Sequence, residues 1–293
     1  MMFCQKCSGG IFLNQIKDRL VCDRCGFEIL IQDGFVIFHP EDSNMHSGME
    51  SAILDDLAFY EEKHFWMKTR RFFIRRTFDK YINNTDKIIE IGAGTGNISR
   101  CLMENGYKDI SVGEVHLNGL EYAKCYGIKN RYQFDLMKTP FLEHFDTVGM
   151  FDVLEHIDND DLAVKNIYKM LKHGGKAIVT VPAHKWLWSK QDTIAYHRQR
   201  YEVNQLKRLF EANGFKILKA SAFFFSILPL LYFRKLINRD DGNIKSEDFK
   251  NRFYVNPIIN WLFEKILNIE IRLLDLADYS LKYGGSIILV VEK

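Results

Sequence analysis

One stretch limits the fold more than any other. Lys87 to Ile91 (KIIEI) is an apolar run of strand length that passes directly into Gly92-Ala93-Gly94-Thr95-Gly96, and Asn97 to Gly106 then carries a helical pattern. A strand that turns on glycines into a helix builds a site for a nucleotide-like ligand. The glycines let the backbone come close, and the first helical turn presents free N–H groups. The spacing is G-x-G-x-G with Asn at position 97. The dinucleotide fingerprint needs G-x-G-x-x-G, so a pyrophosphate is not the expected group. Glu90, two residues ahead of the first glycine, agrees, because a carboxylate there suits a ligand bearing an ammonium group.

The strand–helix alternation continues. Asp109 to Val115 (DISVGEV) reads as a second strand and places Glu114 eighteen residues past Gly96. An acid at that place can hold both hydroxyls of a ribose. Gln133-Phe134-Asp135 ends a third strand, Phe145 to Val153 forms a fourth, and Lys176 to Pro182 forms a fifth after Gly174-Gly175. Phe215 to Ala222 and Ser286 to Lys293 supply two more, and helical patterns such as Asp160 to Leu171 fill the gaps. This order predicts a doubly wound α/β sheet.

Together EIGAGTG, the acid in SVGEV, QFD, FDTVGMFDVLEHI and LKHGGKAIVTVP resemble the class I S-adenosylmethionine-dependent methyltransferases, within the broad type 11 group that includes the ubiquinone-type methylases. The likeness covers residues 85–222 and the last strand. It implies a seven-stranded Rossmann-like sheet with an antiparallel last strand, and S-adenosylmethionine as cofactor. By the same resemblance Glu90, Gly92, Ala93, Gly94 and Gly96 would meet the methionine half, and Glu114 with Val115 the ribose. Asp135 would contact the adenine amine, with Phe134 or Leu136 near the ring and Phe151 in the same pocket. Glu90 stands where Asp is more frequent in that family.

Ligands of open α/β sheets lie beyond the carboxyl ends of the strands. After the fourth strand come Asp152, Glu155, His156 and Asp158. Three readings of D-x-x-E-H are open: His156 or Glu155 as a general base, a divalent metal site, or helix-capping acids with His156 lining the pocket. After the fifth strand, PAHKWLWSKQD…HRQRY resembles a methyltransferase subgroup thought to act on glycans, lipids or small anionic metabolites. Trp186, Trp188, Arg198, Arg200 and Tyr201 are then candidate acceptor contacts, and His197 a further catalytic candidate. The plain alternative is a loop packed over the cofactor with its cations in solvent.

A different chemistry occupies residues 1–40. Cys4 and Cys7 form one C-x-x-C and Cys22 and Cys25 a second, with fourteen residues between the pairs. Two such knuckles close a tetrahedral Cys₄ site suited to structural Zn²⁺, and a segment this short needs such a staple. Short strand-like runs at Ile11 to Leu13, Arg19 to Val21, Phe27 to Ile31 and Phe35 to Phe38, punctuated by glycines, make a zinc-ribbon pattern. It resembles the ribbons fused ahead of some methyltransferases, including some that act on ribosomal RNA. Its lysines and arginines are balanced by acids, so a structural or docking role stands ahead of nucleic-acid recognition.

Residues 41–84 are expected to hold a polar linker (Glu41 to Gly48) and a helix from Ser51 to Tyr81. From Glu61 to Lys80 seven lysines and arginines face three acids, a local net of +4, which fits either an anionic partner or a solvated helix face. Residues 223–285 form an apolar insertion on the ligand side, opening with FFFSILPLLYF and then Arg234-Lys235. It reads as a lid, or as a contact of residues 223–235 with a lipid substrate or a membrane surface. Formal net charge is +2, six cysteines are too few for a disulfide scaffold, and no apolar run reaches 18 residues. Residues 1–10 lack a secretory pattern. The expectation is a cytoplasmic protein, with peripheral contact at the inner membrane face left open. Expected partners are a small-molecule or lipid-linked acceptor, with nucleic acid second.

Overall fold

The computed structural model describes residues 2–40, apart from positions 5, 8, 9, 12 and 17, and then residues 51–237, 254–276 and 279–293. The ribbon contains β1 (Met2–Phe3), β2 (Gly10–Ile11), β3 (Leu13–Ile16), β4 (Arg19–Cys22), β5 (Glu28–Gln32) and β6 (Phe35–Ile37). The linker expected over residues 41–48 lies outside the described residues. Helices α1 (Ser51–Glu61) and α2 (Phe65–Tyr81) follow. The helix expected to run unbroken over 51–81 is thus two. Tyr60 O accepts from the amides of Lys63 and His64, closing a turn, and His64 Nδ1 then caps α2 by accepting from Trp66 N at 3.2 Å.

The α/β core runs β7 (Lys87–Ile91), α3 (Asn97–Glu104), β8 (Asp109–Glu114), α4 (Leu117–Cys125), β9 (Asn130–Gln133), β10 (Phe145–Phe151), α5 (Asp160–Met170), β11 (Leu171–Pro182), α6 (Lys190–Ile194), α7 (Val203–Ala212) and β12 (Lys216–Phe223). The insertion contributes α8 (Leu228–Ile237) and α9 (Pro257–Leu276), and β13 (Ser286–Glu292) closes the chain. The core strands lie in the order β12-β13-β11-β10-β7-β8-β9, with β13 antiparallel to both neighbours and the rest parallel in sense. This is the doubly wound arrangement with an antiparallel last strand that the sequence predicts. Strands covered on both faces carry near-continuous apolar runs. In β13, Ser286 to Val291 are all buried. One face packs under α5 and α7 through Ala163, Ile167 and Phe210, the other under α2, α3 and α9 through Phe73, Phe78, Leu102 and Ile271.

The ribbon does not stand apart. Strand β6 pairs in parallel with β9, with Phe35 opposite Arg131 and Ile37 opposite Gln133. The ribbon strands therefore continue the core into one 11-stranded sheet among the described residues. Gln133, wholly buried, fastens the seam: its Oε1 accepts from His39 N (2.9 Å), and its Nε2 donates to His39 O (2.8 Å) and Val115 O (3.1 Å). No described helix is long and apolar enough to cross a membrane.

Candidate active site

The strand ends of β7 and β8 form the floor of a cleft. Gly92, Gly94 and Gly96 take left-handed φ angles of 63°, 54° and 75°, which side chains resist. At Gly119, on α4, an added Cβ would lie 2.6 Å from Gly94 O, so the glycine there lets helix and loop meet. Glu114 sits at the tip of β8. Its Oε2 accepts from Gly94 N (2.9 Å) and its Oε1 from Val115 N (2.8 Å). Oε1 also accepts from His116 N (3.3 Å), so it is Oε2 that keeps a further lone pair for a ligand hydroxyl. Glu90 is turned into the first turn of α3, accepting from Ser99 N (2.9 Å) and Ser99 Oγ (2.5 Å). Burial pushes its carboxyl up to about 7, against the opposing pull of these bonds and of the Arg70 charge.

The third strand is placed differently from the expectation. Asp135 caps a short 3-10 turn by accepting from Met137 N at 2.8 Å, and its own amide donates to His39 Nδ1 at 3.4 Å. Phe134 and Leu136 belong to the core. The Phe134 ring lies edge-on to Phe141 and beneath Gly113, where an added Cβ would touch it at 2.4 Å. Phe151 packs towards Phe78 under α2. The two faces of the sheet absorb both rings.

Helices α1 and α2 roof the cleft. Thr95 Oγ1 donates to Glu61 Oε2 (2.6 Å), and Asn97 Nδ2 to Glu62 Oε1 (3.1 Å). Glu62 also receives Arg71 (2.7 and 2.9 Å) and Arg100. Arg70 reaches inward, pairs with Asp152 and feels the charges of Glu61, Glu155 and Glu90. Asp152, held at φ 56°, also accepts from Thr180 Oγ1 at 3.0 Å. Burial raises the Glu61 carboxyl and lowers the Arg70 guanidinium from their ordinary values. The basic patch of α2 is therefore largely neutralised by partners: Lys68 with Glu264, Arg75 with Asp79 and Arg76 with Asp275. Sequence reasoning missed Glu61 and Glu62, whose only signal is two acids just before a cationic helix.

On the Glu155 side of Arg70 lie Glu155, His156 and His197. One ligand atom from each falls within 4.8 Å of the others, and the two rings meet edge to face at 4.8 Å. Glu155 is fully buried, neither of its oxygens has a hydrogen-bond partner, and burial pushes its carboxyl up to about 8. His197 Nδ1 lies 2.9 Å from Asp192 Oδ1, and its Nε2 points to Glu155 Oε1 at 3.9 Å. Burial opposes ionisation of Asp192, but the bonds and charges of His197 and Arg200 win and hold it down at about 2. An ionised Asp192 can only accept, so Nδ1 carries a proton towards it and Nε2 is turned towards Glu155.

The candidate acceptor residues divide. Arg200 forks onto Asp192 (2.7 and 3.1 Å) and Ala183 O (2.9 Å), and Tyr201 is wholly buried with its hydroxyl on Asp160 (3.0 Å). Arg200 is thus tied to buried Asp192 and Tyr201 to part-buried Asp160. Arg198 is largely exposed beside Asp158 (3.3 Å), Trp186 stacks on His184 (5.4 Å) and meets Tyr232 of α8, and Trp188 is partly exposed.

In the ribbon, Cys4, Cys7, Cys22 and Cys25 converge, with Sγ separations of 3.5 Å for Cys4–Cys25 and 3.8 Å for Cys7–Cys22. These are far beyond a disulfide bond. They match the edge of about 3.8 Å expected for a tetrahedron with Zn–S near 2.3 Å. The four thiolates fit zinc.

A methyltransferase-domain family profile matches residues 60–220, and a ribosomal protein S27a profile matches residues 2–31. A ubiquinone biosynthesis O-methyltransferase of Rickettsia conorii (strain ATCC VR-613 / Malish 7) is 27% identical over 118 residues, 38% of this chain and 41% of that protein. Phosphoethanolamine N-methyltransferase 3 of Arabidopsis thaliana is 22% identical over 191 residues, 60% of this chain and 38% of that protein. The chain thus spans about two fifths of the length of the curated relatives it matches. Among solved structures, the cyclase SpnF aligns with a TM-score of 0.50 at 17% identity over 75% of this chain and 79% of its own. An S-adenosylmethionine-dependent methyltransferase of Thermotoga maritima aligns with a TM-score of 0.50 at 16% identity over 84% and 100%. Identities this low establish the fold alone, and a cyclase among the neighbours illustrates that one fold serves several chemistries.

Proposed function

The chain belongs to the methyltransferase-domain family, and from that premise we propose that it transfers a methyl group from S-adenosylmethionine to a small anionic or lipid- or glycan-linked acceptor. The observation that carries this reading is the glycine loop locked onto Glu114, with Arg70 between Glu90 beside that loop and Glu155 of the Glu155–His197 pair. The cofactor supplies an electrophilic methyl group on a sulfonium. Glu114 would hold the ribose hydroxyls, and the acids Glu61 and Glu90 around Arg70 favour the cationic end of the ligand. His197 Nε2, with Asp192 behind it, would take the proton of the acceptor. Glu155, kept neutral by burial, can donate a hydrogen bond to the acceptor. Because 4.8 Å encloses the ligand atoms of Glu155, His156 and His197, a divalent cation that orients the acceptor is the second reading. It requires turnover to vanish with a chelator too weak for the ribbon and to return with the cation.

The names of the relatives favour small acceptors but span O and N atoms, so the methylated atom is left to experiment. The rival is an RNA or protein methyltransferase that uses the ribbon for recognition. Labelled cofactor incubated with the chain and separated lipid, small-metabolite, RNA and protein fractions decides. Label in the lipid or anionic-metabolite fraction is expected; label confined to RNA or protein supports the rival. No turnover in any fraction leaves only a binding module. A metal-binding Cys₄ set favours a reducing compartment such as the cytoplasm on this reading.

Two predictions arise here. Glu114→Ala should weaken cofactor binding roughly tenfold to several hundredfold, the worth of one or two hydrogen bonds to a charged group. Calorimetry reads the change. Glu90 gives a pH dependence: a cationic ligand binds best when this carboxyl is ionised, and its value is raised to about 7. Affinity should therefore rise as pH increases through 7, by at most about tenfold per pH unit below that value, with proton release on binding. Titrations in two buffers of different ionisation enthalpy, with Glu90→Gln as the flat control, check both.

A further inference from the structure

Helix α9 has an inverted charge layout. Its acids point inward, and each has a partner. Glu264 takes Lys68 Nζ at 2.6 Å, Asp275 takes Arg76, and Glu270 accepts from the amides of Phe225 and Ser226 at 2.8 Å each. Leu267, Ile271 and Leu274 share that buried side. The outward side repeats at intervals of three, four and seven residues through Ile258, Trp261, Leu262, Ile269, Leu273 and Leu276. All are exposed, Ile258 and Leu276 by 77% and 82%. The charged residues in this stripe are Lys265 and Arg272. Ordinary surface helices bury the apolar stripe and expose the charges. Here a second apolar stripe, about 30 Å long, faces out. Helix α8 adds exposed Leu230, Tyr232, Phe233 and Leu236, and the amides that Glu270 holds lie just ahead of it.

We propose that the outward faces of α9 and α8 seat this protein on an anionic lipid surface. Apolar side chains that include a Trp, cations and no acid are the makeup of a helix lying in a membrane interface. The charge pattern also decides against a second copy of the chain. In a two-fold contact the same face meets itself, and Lys265 and Arg272 would find no acid there. The inner side of α9 grips α2 through Asn260, which accepts from Phe65 N and donates to Lys63 O at 2.8 Å each, and through Glu264 on Lys68. Helix α2 carries Arg70 into the cleft, so lipid seating would set the cleft close to the surface. The contact goes beyond the proposed activity and does not depend on which acceptor the cleft takes.

The test uses the zinc-loaded full chain and vesicles of phosphatidylcholine with or without phosphatidylglycerol. Co-sedimentation with the anionic vesicles, a blue shift in tryptophan emission and weakening by salt are expected. The pair Trp261→Glu and Leu273→Glu should lower vesicle binding at least tenfold, and Lys265→Glu with Arg272→Glu should remove the preference for anionic lipid. All four sites are exposed, and an unchanged melting temperature verifies the fold. The proposal is overturned if anionic vesicles leave the protein in solution, or if the Trp261 and Leu273 pair binds like the parent. It is equally overturned if light scattering finds a dimer that this pair converts to monomer.

Discussion

Removing zinc should lower the melting temperature of the full chain by about 10 °C or more, and should do so while the methyltransferase core keeps its secondary structure. Forty residues cannot bury enough apolar surface to fold alone, so metal binding and folding of the ribbon are one equilibrium. The ribbon also covers the β9 edge. Phe35 and Ile37 pack with Val112, Leu120 and Ile128, and Phe38 packs with Tyr132 and Phe141. Exposing three such side chains costs about 5–9 kcal/mol. In a domain of this size each kcal/mol moves the midpoint by about 2–4 °C. Without His39, Gln133 keeps only its bond to Val115 O, so the ribose side of the cleft should loosen and cofactor affinity fall. Calorimetric melting with and without chelator, and of Cys22→Ser, measures the first effect. An unchanged midpoint and affinity would make the ribbon a detachable module.

The second large effect is expected from Arg70→Ala. This guanidinium is the cation set among Asp152, Glu61, Glu90 and Glu155, and removing one partner of a buried pair leaves acids uncompensated. A loss of about 2–4 kcal/mol in stability follows, below the extreme because Arg70 and Asp152 retain some solvent contact. The sign with pH is fixed. Glu90 and Glu155 already titrate near 7 and 8, and without Arg70 they rise further. Below pH 6 both are protonated and the gap should narrow to the share of the Asp152 pair; at pH 9 it should be widest. Arg70→Lys should recover part of it, since charge survives and the fork does not. Denaturant midpoints across that range test this, and a pH-independent gap would remove Arg70 from the electrostatics of the cleft.

Much of this was legible in the residues because it is local. The glycine loop needs left-handed turns, Glu114 follows at a fixed distance, and two C-x-x-C knuckles allow few other closures. What escaped the sequence is non-local. Phe35-Val36-Ile37 reads as a strand, but its partner Asn130 to Gln133 is polar, so nothing local announces that the ribbon extends the core sheet. Arg200 and Tyr201 looked available to a substrate, yet buried Asp192 and part-buried Asp160 claim them. Phe134 and Phe151 stand at strand ends, and packing on the two faces of the sheet draws each into the core. Glu61 and Glu62 gain meaning only when α1 folds over Thr95 and Asn97.

The most direct measurement is titration calorimetry of S-adenosylmethionine, and of its demethylated product, into the zinc-loaded full chain. The account predicts saturable one-site binding of both ligands, mutually competitive and weakened by Glu114→Ala. Folded protein that takes up neither ligand, or binds both unchanged in Glu114→Ala, would contradict it.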